Sequence, residues 1–395
     1  MAPSEYFGPY PLRSYSVRNR NGVFGGKINP SGKIGAERGE RLRLKHIDRV
    51  RAIAVLFMIE VHTAAIIPPE GISVGHPAAF VAAAFGGMAA PMFVTISGWG
   101  MYGSAKRRAS GGHGFSEWAR WILPRVTILC ICQLAVNILL NVDRGGRFEW
   151  QTPGVLTLLA FAAMLSPVLV RLGSSERLLA MLLMCFSPLL LGGYAGSEMG
   201  WFERVGSEGM EQWLSRFLWN GTYPVAPWLF FVLLGTLLHD LGEDPSTRER
   251  GIALGLLATS ATLFIAIVED VEWALTSGEA VLTFFPASTP FLVVSGTMVA
   301  LLIRFLEGEE GTGGEPYMGE RISFLEPTGR LSLTIYVSHF AVLGVVASVM
   351  EGEARLGVFS AFAATVLHTL IWIPLAYWHE KKIPNYSLEG ILRSM

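Results

Sequence analysis

Three ionisable side chains share one stripe of the first apolar segment. It reads Asp48-Arg49-Val50-Arg51-Ala52-Ile53-Ala54-Val55-Leu56-Phe57-Met58-Ile59-Glu60-Val61-His62. On a helix, Arg51 and His62 differ by about 20° in direction and about 16 Å in height. Asp48 falls on the same stripe. One face therefore carries an acid and a guanidinium at one end and an imidazole farther along. Ionisable groups in an apolar span are costly and usually face a bundle interior or a wet cavity. An imidazole so placed suits proton transfer near neutral pH. Blander readings stand beside this one. Arg51 could snorkel to the interface, and His62 could be a hydrogen-bonded core histidine. Glu60 points about 160° away from His62 and reads as a separate carboxylate facing another helix or the headgroup layer.

The elements that must carry these groups follow from hydropathy. Of 395 residues, 51% are hydrophobic and 16% charged, against about 25% charged in an ordinary soluble domain. Mean hydropathy is +0.43. This excludes a soluble enzyme, a disordered chain and a secreted disulfide scaffold. A net charge of −1 leaves no global basic field for nucleic acid. Cys130, Cys132 and Cys185 lie in apolar runs and read as core residues, so no metal is expected. The expected fold is all-α, a polytopic integral membrane bundle of about ten transmembrane helices. They fall near 48–67, 78–103, 118–141, 154–171, 177–194, 224–241, 251–270, 286–306, 330–350 and 358–378. Residues 1–47 read as a cytoplasmic, mobile N-terminal tail, 48–378 as the transmembrane domain and 379–395 as a cytoplasmic C-terminal tail. With the N-terminus inside, 26 of the 31 Lys and Arg face the cytoplasm and 5 face out.

A family resemblance enters at these residues. An Ile-Asp followed by arginine, ten residues and histidine resembles the signature of the transmembrane acyltransferase superfamily. That superfamily includes the acyltransferase type 3 and heparan-α-glucosaminide N-acetyltransferase-like groups. The run from Gly86 to Gly98, with Ala90-Pro91-Met92-Phe93 and Ser97-Gly98, resembles their second helix. Tyr223-Pro224-Val225-Ala226-Pro227-Trp228 with Leu234-Gly235 resembles a segment of the glucosaminide group. Gly329-Arg330-Leu331-Ser332 through His339 resembles its late helix, and Tyr386-Ser387-Leu388-Glu389 is similar to a closing motif of a bacterial branch. Where these families carry glycine after the arginine, this chain has Ala52. His62 matches the type 3 histidine and His76 the histidine of the other group; both stay open as the base.

The resemblance implies transfer of an acyl group, usually acetyl, from cytosolic acyl-CoA (acetyl-CoA as co-substrate) to a hydroxyl or amine of a glycan or glycolipid at the outer face. Arg51, Arg125, Arg171 and Arg330 sit at expected inner helix ends, where guanidinium groups can fork onto phosphates. His62 or His76 would be the general base, with Asp48 on the same stripe. Ser97 and His339 are candidate oxyanion donors. Against these stand plain readings: His339 bonded to a carbonyl, Ser97 as a small-residue contact, and Arg125 and Arg330 snorkelling. His239 and His368 read as structural. Expected partners are membrane lipids and a carbohydrate or lipid-linked acceptor, with no nucleic acid and a homodimer left open. The expected location is the cell membrane. A secondary transporter of a small anionic solute is the main alternative, and a non-catalytic scaffold a third.

Overall fold

The computed structural model describes residues 44–72, 77–112, 114–242, 244–307, 318–350 and 356–394. The expected tail through residue 43, and His76, lie outside the described residues.

Helices dominate. They are α1 (Lys45–Ile66), α2 (Pro77–Ala109), α3 (Phe115–Leu139), α4 (Val155–Leu169), α5 (Ser174–Leu191), α6 (Trp201–Val205), α7 (Gly209–Ser215), α8 (Val225–Leu241), α9 (Pro245–Val268) and α10 (Thr289–Glu307). The short α11 (Met318–Arg321) and α12 (Glu326–Arg330) precede α13 (Ser332–Val349), α14 (Val358–Leu370), α15 (Trp372–Lys382) and α16 (Leu388–Ser394). A helix stands at each of the ten expected positions. Among the described residues, six stretches are long and apolar enough to cross a membrane, or seven if Gly209–Asn220 and Val225–Leu241, bent by 47°, form one span. α4, at 15 residues, is short, and α1 carries Asp48, Arg49, Arg51 and Glu60, which dilute its apolar character. The architecture is an all-α membrane bundle. One detail was not anticipated: Ala274–Leu275 (β1) and Leu282–Thr283 (β2) pair in parallel between α9 and α10.

α1 lies centrally, packed by α2, α10, α12, α13 and α14. Its Val50, Ala52, Ala54, Val55 and Ile59 are fully buried. In a lipid setting, close van der Waals packing between helices replaces the hydrophobic drive, so small residues matter at crossings. Gly329 of α12 lies against the Asp48 carbonyl of α1, and Gly235 of α8 against the Thr95 carbonyl of α2. A side chain at either position would collide with backbone. By contrast α5, α9 and α14 turn Leu190, Leu257, Phe264 and Phe359 outward, as lipid-facing surfaces do.

The two ends of the bundle differ. At the end where α1 finishes, connections build a cap. Arg147 donates to the Ala65 carbonyl at 2.7 Å, and Trp201 Nε1 donates to the Arg147 carbonyl at 2.9 Å. Buried Arg204 donates to the carbonyls of Gly196 and Asn220 at 2.5 and 3.0 Å. Burial, with Arg216 adding to it, pushes the Arg204 guanidinium down to about 10. The stretch 195–223, between the expected spans at 177–194 and 224–241, is thus a folded piece, with α6, α7 and a π-helical turn over Arg216–Asn220.

Candidate functional site

α1 presents His62 to α13. His62 Nδ1 and His339 Nε2 are 3.0 Å apart, the rings are within 5° of parallel, and His339 is fully buried. The second nitrogen of His339, Nδ1, lies 3.2 Å from the Ile335 carbonyl one turn earlier. A carbonyl oxygen can only accept, so His339 carries its hydrogen on Nδ1 and its Nε2 is a bare acceptor. His62 must then donate from Nδ1, which leaves His62 Nε2 as a lone pair. That nitrogen has no hydrogen-bond partner among the described residues. Phe340 closes one side of the pair, its ring 4.6 Å from that of His62 and 4.2 Å from that of His339. Beyond it stand Phe148 of the cap and Tyr336.

A third imidazole borders the pair. Thr63 Oγ1 donates to the Ile59 carbonyl at 2.6 Å and so accepts from His368 Nδ1, 2.8 Å away on α14. The rings of His368 and His339 are 6.5 Å apart, centre to centre. His368, read as structural from sequence, therefore lies beside the histidine pair.

At the other end of the stripe, Asp48 is buried and its carboxylate lies 3.4 Å from Arg51 Nη1. The Arg51 guanidinium, about a quarter exposed, reaches over Gly100 of α2. Between Arg51 and His62 the stripe holds Val55 and Met58, both buried.

The remaining expected residues are dispersed. Ser97 sits on α2 beside Gly98 and makes no hydrogen bond to either histidine among the described residues. Gly98 itself lies against the Val232 backbone of α8, which is the small-residue contact. Arg125 donates to the Trp121 carbonyl at 2.6 Å and stacks on the Trp121 ring at 4.6 Å. Arg171 is exposed just past α4. Arg330 is ion-paired with Glu380 at 2.6 Å and with Glu326 at 3.6 Å. His339 does not offer an oxyanion a free N–H, because both its nitrogens are engaged; it orients His62 instead.

Two polar clusters escaped sequence reading. Arg49, two positions before the motif arginine and buried, donates from Nε and Nη2 to Glu326 Oε1 at 3.1 and 2.8 Å. This links α1 through Glu326 and Arg330 to Glu380 of α15. The second cluster centres on Asp240 of α8, which accepts from Arg177 Nη2 at 2.5 Å, Lys106 at 2.8 Å and Tyr102 at 3.0 Å. Arg177 is buried over the Tyr102 ring, and His239 lies between Trp99 and Tyr102. This hub joins α2, α5 and α8. Sequence could flag only that Asp240 and Arg177 stand at helix ends; their meeting across 63 residues needed the fold.

No curated protein matches the sequence closely enough to count as a relative. A family model described as an acyltransferase domain matches residues 44–378, a stretch that holds α1, the histidine pair, the Asp240 hub and the Arg49–Glu326–Arg330 cluster short of Glu380. With that match over most of its length, the chain belongs to the acyltransferase type 3 family and is a multi-pass membrane acyltransferase in kind.

Proposed function

We propose that the protein moves an acyl group, most simply acetyl, from cytosolic acyl-CoA to a hydroxyl or amine of a glycan or glycolipid at the outer face. In this reading the ten apolar helices all cross the cell membrane, and both termini are cytoplasmic. The observation that carries the reading is the unpartnered lone pair on His62 Nε2, held in place by His339.

The chemistry follows from that atom. The acceptor O–H or N–H loses its proton to His62 Nε2 as the acceptor atom bonds to the thioester carbonyl carbon. The developing imidazolium shares its Nδ1–H with His339. When the C–S bond breaks, the departing thiolate takes the proton from His62 Nε2, so the ring returns to its starting state and no net proton is released. The CoA phosphates would meet Arg51 at the start of α1, with Lys106 and Arg107 at the end of α2 adding positive charge. Arg51 and Lys106 are themselves paired, with Asp48 and Asp240, and stay partly exposed; Arg125, bonded to the Trp121 carbonyl and stacked on its ring, and Arg330, held by two carboxylates, we assign to helix placement. The pantetheine arm would then run along the apolar stripe past Met58 and Val55 toward His62.

Purified protein in proteoliposomes with labelled acetyl-CoA should transfer the label to an added acceptor or release CoA slowly. His62→Ala should lower the rate by about a hundredfold or more while the protein stays monodisperse. A folded His62→Ala variant with wild-type transfer would remove the assignment of the base.

A further inference from the structure

The C-terminal segment after α15 returns to the start of α13. Glu389 Oε1 accepts from the backbone N–H of Leu333 and of Thr334 at 2.6 and 3.1 Å. Its Oε2 accepts from the Thr334 hydroxyl at 2.6 Å, and that hydroxyl accepts in turn from the Leu388 N–H at 2.9 Å. Four hydrogen bonds thus join two residues of the C-terminal segment to the first turn of α13. The first N–H groups of a helix have no partner within it, and a carboxylate there is favoured by the helix dipole as well. The preceding residue, Leu331, ends α12 at φ −109° and ψ 19°, so α13 is not continuous with α12. Its position along its own axis must come from tertiary contacts.

α13 packs on α1 and α3 along its buried face, and two contacts fix its ends. At the far end of α13, Gly344 lies against the Leu139 carbonyl of α3. At the near end the fixed point is Glu389. His339 stands between them, five residues past Thr334. Its 3.0 Å bond to His62 tolerates only a small slide of α13 along α1. The segment lies beyond residues 44–378, the span that the family model matches.

We propose that Glu389 is a positioning residue for acyl transfer: its clamp on the first turn of α13 sets the height of His339, and through it the orientation of His62. The clamp's role in transfer rests on the proposed function; its role in placing the imidazole pair does not.

The full chain carries the test, in nanodiscs with ¹⁵N-labelled histidine. Two readouts are taken on Glu389→Ala, Glu389→Gln and Thr334→Val: kcat and KM for labelled acetyl-CoA, and the ¹⁵N shifts of the His62–His339 pair. Loss of the clamp should lower kcat by about tenfold to a hundredfold, leave KM for acetyl-CoA within about twofold, and shift the imidazole resonances. Glu389→Gln, which can still accept from the backbone, should recover part of both. Should Glu389→Ala fail to fold, Glu389→Gln and Thr334→Val carry the same test with smaller effects. Folded variants with unchanged imidazole resonances overturn the proposal. A wild-type protein that transfers no acyl group overturns the proposed function instead, and the imidazole resonances still decide whether Glu389 places His339.

Discussion

At the scale of single residues, the site turns on which nitrogen holds which hydrogen. The Ile335 carbonyl dictates the tautomer of His339, His339 dictates that of His62, and the outcome is a lone pair on His62 Nε2 with no partner among the described residues. The stripe of Asp48, Arg51 and His62 was legible in the sequence because helical spacing alone aligns it. The role of His339 was not, because a histidine 277 residues away joins that stripe only once α13 packs on α1. Arg49 teaches the opposite lesson: two positions from the motif arginine, it is the more buried of the pair and is spent on Glu326. Removing Arg49 takes away the closer of Glu326's two cationic partners among the described residues and leaves it Arg330 alone, 3.6 Å from Oε2. Arg49→Ala should therefore lower the unfolding free energy by about 1.5–3 kcal/mol, read from denaturant unfolding in detergent. A loss below about 1 kcal/mol would mean that the pair behaves like one at a surface.

At the scale of elements, α1 works as a rod with a basic end and an imidazole end, and its neighbours hold it by backbone approach. Gly329 at the Asp48 carbonyl explains the glycine of the Gly-Arg pair in the late segment: α12 could not cross α1 so closely with a side chain there. Arg330 beside it was expected at a phosphate, yet Glu326 and Glu380 take it; sequence placed it at a helix end and could not see which carboxylates would arrive. In the proposed function the acyl arm runs between the two ends of α1 past Val55 and Met58, both buried in the bundle. A bulky side chain at Met58 should close that route. In Met58→Trp, transfer should fall by about tenfold or more, while adenosine 3′,5′-diphosphate, which lacks the arm, binds as it does to the wild type. Equal transfer in a folded Met58→Trp protein would place the arm elsewhere.

At the scale of the whole molecule, composition was the most informative quantity. A chain half hydrophobic and sparsely charged has to bury itself in lipid, and the ten expected segments each meet a helix. The pieces that sequence missed are polar and non-local: the cap held by Arg147 and Arg204, the Asp240 hub, and the return of the C-terminal segment to α13. No periodicity encodes them, since each forms from residues far apart in the chain. The same polar pieces give the molecule its two unlike ends, with accessible cations around Arg51, Lys106 and Arg107 at one and the aromatic cap at the other. Acyl-CoA should enter at the first and the acceptor at the second.

The most direct measurement is a cryo-electron microscopy map of the protein with a non-transferable thioether analogue of acetyl-CoA. The account predicts nucleotide density against Arg51 at the start of α1, and the analogue's carbonyl within hydrogen-bonding reach of the acceptor position at His62 Nε2. Density for the analogue remote from both groups, or solid packing at Met58 that leaves His62 sealed from the bound nucleotide, would contradict it.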